Sequence, residues 1–131
     1  VVVIGCGGVG LNAVQGARLS GAARIVAVDL EPKKLDDARE FGATNTLLAS
    51  EEKPWRTVRA ITGGRGADHV FVSVGAIPAY DMAHRLMAPG GFLLNNELTD
   101  FSFASHRDGT PIANAVAPGK RPRHLPDAWR L

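Results

Sequence analysis

Four branched apolar residues, Val1 to Ile4, run straight into Gly5-Cys6-Gly7-Gly8-Val9-Gly10. Few folds accommodate that join. A continuous apolar run, rather than an alternating one, predicts a strand buried on both faces. The glycines then turn the chain sharply, and Gly8 to Ser20 reads as a helix. Its small residues Gly10, Ala13 and Ala17 fall on one stripe, so the helix can lie close on whatever it covers. The opening therefore specifies strand, bare turn and helix within twenty residues.

The same rhythm continues. Ala23 to Val28 predicts a second strand. Pro32 sits where a first helical turn tolerates it, Leu35, Ala38 and Phe41 recur at helical spacing, and Gly42 closes that helix. Thr44 to Leu48 reads as a third strand and Pro54 to Thr62 as a third helix. Asp68 to Val74 reads as a fourth strand, Pro78 to Met87 as a fourth helix, and Gly91 to Leu94 as the start of a fifth strand. Alternation of this kind predicts βαβ crossovers and a doubly wound parallel sheet with helices on both faces, an α/β domain. With 131 residues, 45% hydrophobic and 21% charged, the chain has room for one such core. Beyond Gly91 the pattern fails. Residues 95–131 hold polar pairs, scattered Gly and Pro and a basic PGKRPRHLP run, and are expected to form an irregular tail to a domain at 1–94.

Composition excludes several functions. A net charge of +2 is no nucleic-acid signature, despite a pI near 9.0. No apolar run approaches the roughly 18 residues of a membrane span, and no signal peptide is visible. The single cysteine, Cys6, cannot form an intrachain disulfide. A soluble, cytoplasmic protein is the expectation.

Gly5, Gly7 and Gly10 make G-x-G-x-x-G between a strand and a helix, the context in which that pattern binds a dinucleotide. Gly5 permits the turn, Gly7 lets a pyrophosphate approach the backbone, and Gly10 admits close packing of the helix. The helix N-terminus offers N–H groups and its positive dipole end. Asp29 closes the second strand 19 residues after Gly10. A carboxylate there accepts both ribose hydroxyls of the adenosine half and repels a 2′-phosphate, so NAD is the expected cofactor rather than NADP. Lys34 has two readings: a solvated surface lysine, or a second group reaching that ribose. Cys6, in the turn, reads as a packing residue. His69, His84, His106 and His124 show no metal-ligand spacing. Asp68, His69 and Ser73 make no triad, because neighbours on a strand point to opposite faces.

VVVIGCGGVGLNAVQGARLSGAARIVAVDL, KLDDAREFGAT, TGGRGADHVFVSVG and MAPGG together resemble the coenzyme domain of the zinc-containing medium-chain alcohol dehydrogenases, over residues 1 to about 91. The resemblance implies a Rossmann-type domain and NAD-linked oxidation of an alcohol to an aldehyde or ketone. It implies that Gly5, Gly7, Gly8, Val9 and Gly10 line the pyrophosphate. Asp29 and Lys34 would hold the ribose, and Val74 and Gly75 would face the nicotinamide side. It implies a catalytic zinc in a separate, N-terminal domain, and assembly into dimers or tetramers. No catalytic or metal residue is assigned in this chain, which reads as a coenzyme-binding half, inactive alone. A non-catalytic dinucleotide-binding fragment is the alternative.

GFLLNNELTDFSF and DGTPIANAVAPGKRPR instead resemble a gamma-glutamyltransferase segment, in which positions matching Glu97 and Asp100 bind the substrate α-amino group. No nucleophilic threonine accompanies them. Both resemblances meet at Gly90-Gly91, which reads as the junction of a fused or rearranged frame or, alternatively, as a divergent loop. A C-terminally incomplete sheet would expose a strand edge.

Overall fold

The computed structural model describes residues 1–95, 104–105 and 111–112. Five strands alternate with four helices. They are β1 (Val2–Ile4), α1 (Gly8–Leu19), β2 (Val26–Asp29), α2 (Pro32–Phe41), β3 (Asn45–Leu48), α3 (Pro54–Ile61), β4 (Ala67–Val72), α4 (Ile77–Leu86) and β5 (Met87–Asn95). The sheet order is β3-β2-β1-β4-β5 and every pairing is parallel. This is the doubly wound α/β architecture that the alternation predicts.

The apolar run of β1 follows from its central position. Val2 and Ile4 pack with Val26, Val28, Val70 and Val72 on the face covered by α3 and α4. Val3 turns the other way, onto Val14 and Ala17 of α1. Ala27, on the same side, meets Leu35 and Ala38 of α2. Two helices on each face leave β1 no wet side, so alternation has no place in its sequence. The starts of α2, α3 and α4 carry Pro32, Pro54 and Pro78 in the first turn, where a missing N–H costs nothing.

The structure moves some boundaries. β2 begins at Val26 rather than Ala23, because the Ile25 N–H donates to Thr44 Oγ1 (2.9 Å) instead of entering the ladder. β5 begins at Met87, read from the sequence as the last residue of the fourth helix, four residues ahead of the Gly91 start expected for this strand. An advance of two residues on β4, from Ala67 to His69, spans five on β5, from Met87 to Phe92. The extra residues bulge at Gly90, whose φ is +77°. Gly91 then lies so close that a Cβ would sit 2.9 Å from the Ala67 carbonyl oxygen. The chain bulges at these glycines, and the sheet pairs on either side of them. In the tail, β6 (Ala104–Ser105) and β7 (Pro111–Ile112) pair antiparallel, a hairpin the irregular reading did not foresee. Glu97, Asp100, His106, His124 and the basic run at 118–126 lie outside the described residues. Among the described residues no helix is long and apolar enough to cross a membrane.

Candidate functional site

The strand order reverses direction at β1, with β2 on one side and β4 on the other. In sheets of this kind the crevice at the carboxyl ends of the strands there is where ligands bind. The loop from Gly5 to Gly7 emerges at this point. It is fixed from two directions. The Gly5 N–H donates to the Val28 carbonyl at 2.8 Å, and the Ser73 hydroxyl donates to the Gly5 carbonyl at 2.8 Å.

The glycines divide into two kinds. Gly5 has φ +92°, and a Cβ there would lie 2.5 Å from Val74 Cγ1 and 2.8 Å from Ser73 Oγ. At Gly10 a Cβ would lie 2.8 Å from the Gly5 carbonyl carbon and 3.0 Å from Ser73 Oγ. The protein's own packing requires these two. At Gly7 and Gly8 a Cβ would meet nothing within 4 Å. Neither has a positive φ, and both are exposed. Folding therefore sets no demand for glycine at 7 or 8. Gly7 is the N-cap of α1, and no side chain caps the helix. The first-turn N–H groups, Val9 among them, face outward at the positive end of the dipole.

Asp29, the last residue of β2, points across this loop. Its Oδ2 accepts from the Cys6 N–H at 2.8 Å, and its Oδ1 accepts from the Glu31 N–H at 2.9 Å. Each oxygen keeps acceptor capacity for a further donor. Lys34 Nζ pairs with Glu31 Oε1 at 3.1 Å. The ammonium is held above the usual lysine range, first by that hydrogen bond and then by the Asp29 charge. Gly5, Asp29, Glu31, Lys34, Val74 and Met82 line one cleft of about 360 Å³. The structure thus brings Asp29, Lys34 and Val74 to a single wall, 45 residues apart at the extremes. Gly75 follows Val74 and is not part of that wall.

Cys6 is a packing residue here. It is 2% exposed, and its thiol lies 3.7 Å from the Val28 carbonyl. Burial, reinforced by the Asp29 charge, pushes the thiol up to about 11. His69 stacks on Phe92 with centroids 5.7 Å apart, and His84 Nδ1 is 2.9 Å from the Tyr80 carbonyl. Among the described residues no group of three or more His, Cys, Asp or Glu is placed to hold a metal ion. A larger concavity, about 710 Å³, lies at the opposite ends of the strands beside Val1, Arg24, Ala67 and His69. It is remote from the glycine loop, and its polar lining includes Arg24, His69 and an Arg65–Asp68 ion pair at 2.8 Å.

Ser73 was weighed from the sequence only as a triad member and set aside, and Glu31 was not singled out. Ser73 clamps a carbonyl 68 residues away, and no local pattern announces such a partner. Glu31 could have been found, since it lies three residues before Lys34 at the head of a helix.

The family described as zinc-binding dehydrogenase matches residues 8–95. L-threonine 3-dehydrogenase of Bacillus licheniformis is 41% identical over 91 residues, covering 70% of this chain and 26% of that protein. S-(hydroxymethyl)glutathione dehydrogenase of Escherichia coli is 42% identical over 90 residues, 65% of this chain and 24% of that protein. Among solved structures, zinc dependent alcohol dehydrogenase 2 from Streptococcus pneumonia, in its apo form, superposes with a TM-score of 0.69. It is 33% identical, over 72% of this chain and 28% of that one. An alcohol dehydrogenase from Thermus sp. ATN1 gives 0.68 at 34% identity, over 76% of this chain and 30% of that one. The chain spans about a quarter of the length of the curated relatives it matches. Sequence match and superposition agree on one lineage: this chain belongs to the zinc-binding dehydrogenase family.

Proposed function

We propose that residues 1–94 bind NAD(H) as the coenzyme part of a zinc alcohol dehydrogenase that oxidises an alcohol to an aldehyde or ketone, with 95–131 as a separate tail. One observation carries the reading. Gly7 and Gly8 are glycines that the fold does not need, set between two that it does. A pyrophosphate seated on the first-turn N–H groups of α1 explains the bare backbone there. Gly5, Gly7, Gly8, Val9 and Gly10 would hold the diphosphate, and Asp29 with Lys34 the adenosine ribose. Val74 shares the Asp29 cleft, so we set its side chain against the adenosine half rather than the nicotinamide, with Gly75 next to it. When bound, NAD supplies a nicotinamide carbon that accepts hydride. The chain's own part is to seat the diphosphate on backbone donors, orient the sugar and hold the loop shut with Ser73. The described residues do not fit a catalytic zinc, and no step is assigned to one in this chain. Homo-oligomeric assembly and a cytoplasmic location, supported by the lone reduced and buried thiol, complete the proposal.

The test is a fluorescence titration of NADH against wild type and Gly7→Ala. Gly7 has ordinary dihedrals, φ −77° and ψ −165°, and its Cβ would touch nothing. The variant is expected to fold as the wild type does and to bind NADH at least about tenfold more weakly, because the methyl occupies phosphate space. Equal affinity in the two proteins would remove the diphosphate from this loop.

A further inference from the structure

Glu31 heads α2 as its N-cap, yet its side chain makes no cap hydrogen bond. The carboxylate is instead engaged with Lys34 Nζ at 3.1 Å. Its backbone N–H is tied to Asp29 Oδ1 at 2.9 Å, which fixes Glu31 beside the residue that would read the sugar. Asp29, Glu31 and Lys34 line the same cleft. Two carboxylates and one ammonium leave that corner with a charge of −1. Lys34 is the cleft's cation, placed in the first turn of a helix whose dipole disfavours it. Its charge is accommodated there by two acids.

An ammonium is a good point-charge partner for phosphate when it is free. We propose that Glu31 is a specificity-determining residue: by occupying Lys34, it withholds from the adenosine 2′-position the cation that a 2′-phosphate would need. The inference rests on the dinucleotide reading above. It assigns the choice of coenzyme to a pair, Glu31 with Lys34, in addition to Asp29. Replacing Glu31 by Gln keeps the backbone N–H bond to Asp29. It brings the corner to neutrality and frees the ammonium.

The experiment titrates NADH and NADPH against the full chain at low ionic strength. Wild type, Glu31→Gln and the double variant Glu31→Gln/Lys34→Gln are compared, with circular dichroism confirming the fold. The readout is the ratio of the NADPH to the NADH dissociation constant. Glu31→Gln is expected to lower that ratio about fivefold, with the gain shrinking as salt is added. The double variant is expected to return it towards the wild-type value. An unmoved ratio in Glu31→Gln, with NADH still bound, overturns the role of Glu31 and leaves the binding site standing. A fall that persists in the double variant also overturns it, since Lys34 would not be the group released. A wild type that binds neither dinucleotide overturns the site and this inference together.

Discussion

Gly10→Ala is a demanding test of how the loop is built. In an exposed helix interior, alanine for glycine stabilises by about 0.5–1 kcal/mol. Gly16 of the same helix offers that outcome, because a Cβ there would meet nothing within 4 Å and its φ is not positive. At Gly10 the added Cβ would lie 2.8 Å from the Gly5 carbonyl carbon and within hard contact of its oxygen. Ordinary carbon contacts need about 3.5–4.0 Å. The head of α1 must therefore retreat by about 1 Å, or Gly5 must move. Neither neighbour is a pliant side-chain end, and the loop is pinned by Val28 and Ser73. Overpacking against backbone costs about 1–3 kcal/mol. After the propensity gain is subtracted, Gly10→Ala should lose about 0–2.5 kcal/mol while Gly16→Ala gains about 0.5–1 kcal/mol. Urea unfolding followed by circular dichroism gives both stabilities, and NADH titration gives the second consequence. A shift of this size at the proposed phosphate seat should weaken binding by about tenfold or more. Gly10→Ala as stable as Gly16→Ala, with unaltered NADH affinity, would refute the packing argument.

Other outcomes follow from the same contacts. Asp29→Ala deprives the half-buried Cys6 N–H of its acceptor and should cost about 1–3 kcal/mol of unfolding free energy, whereas Asp29→Asn, which keeps one acceptor oxygen, should cost less; equal stability of both variants with wild type would deny Asp29 its loop contacts. Ser73→Ala removes the hydroxyl that clamps Gly5 and should cost about 1 kcal/mol, measured by the same denaturation. Cys6 has a folded-state pKa of about 11 against an ordinary 9.0. Folding therefore favours the thiol form, so its contribution is complete below pH 9 and is lost as pH rises through 11. Wild type should lose about 2 kcal/mol relative to Cys6→Ala across that window, and parallel pH profiles would contradict the burial of the thiol.

The sequence spoke most clearly where a physical requirement is local. Val1 to Ile4 announces a two-sided strand because every residue of a central parallel strand must be apolar. Pro32, Pro54 and Pro78 mark helix starts because φ is fixed within one residue. Asp29 was visible through its spacing from the glycines. What stayed hidden depends on long separations. Ser73 meets Gly5 across 68 residues and Asp29 meets Cys6 across 23. β5 was placed correctly at Gly91 to Leu94 but starts earlier, at Met87, because pairing with β4 begins ahead of the bulge at Gly90, and only that neighbouring strand shows it.

Asp29 is a keystone of the loop, whatever its part in the proposed sugar contact. The same two oxygens that would greet the ribose already stitch the loop after β1 to the turn after β2. Altering that side chain to retune ligand choice would loosen the arch that it locks. Preference for one coenzyme over another is therefore more safely adjusted from the flanking positions, and engineering or drift in this lineage should leave position 29 alone while its neighbours vary.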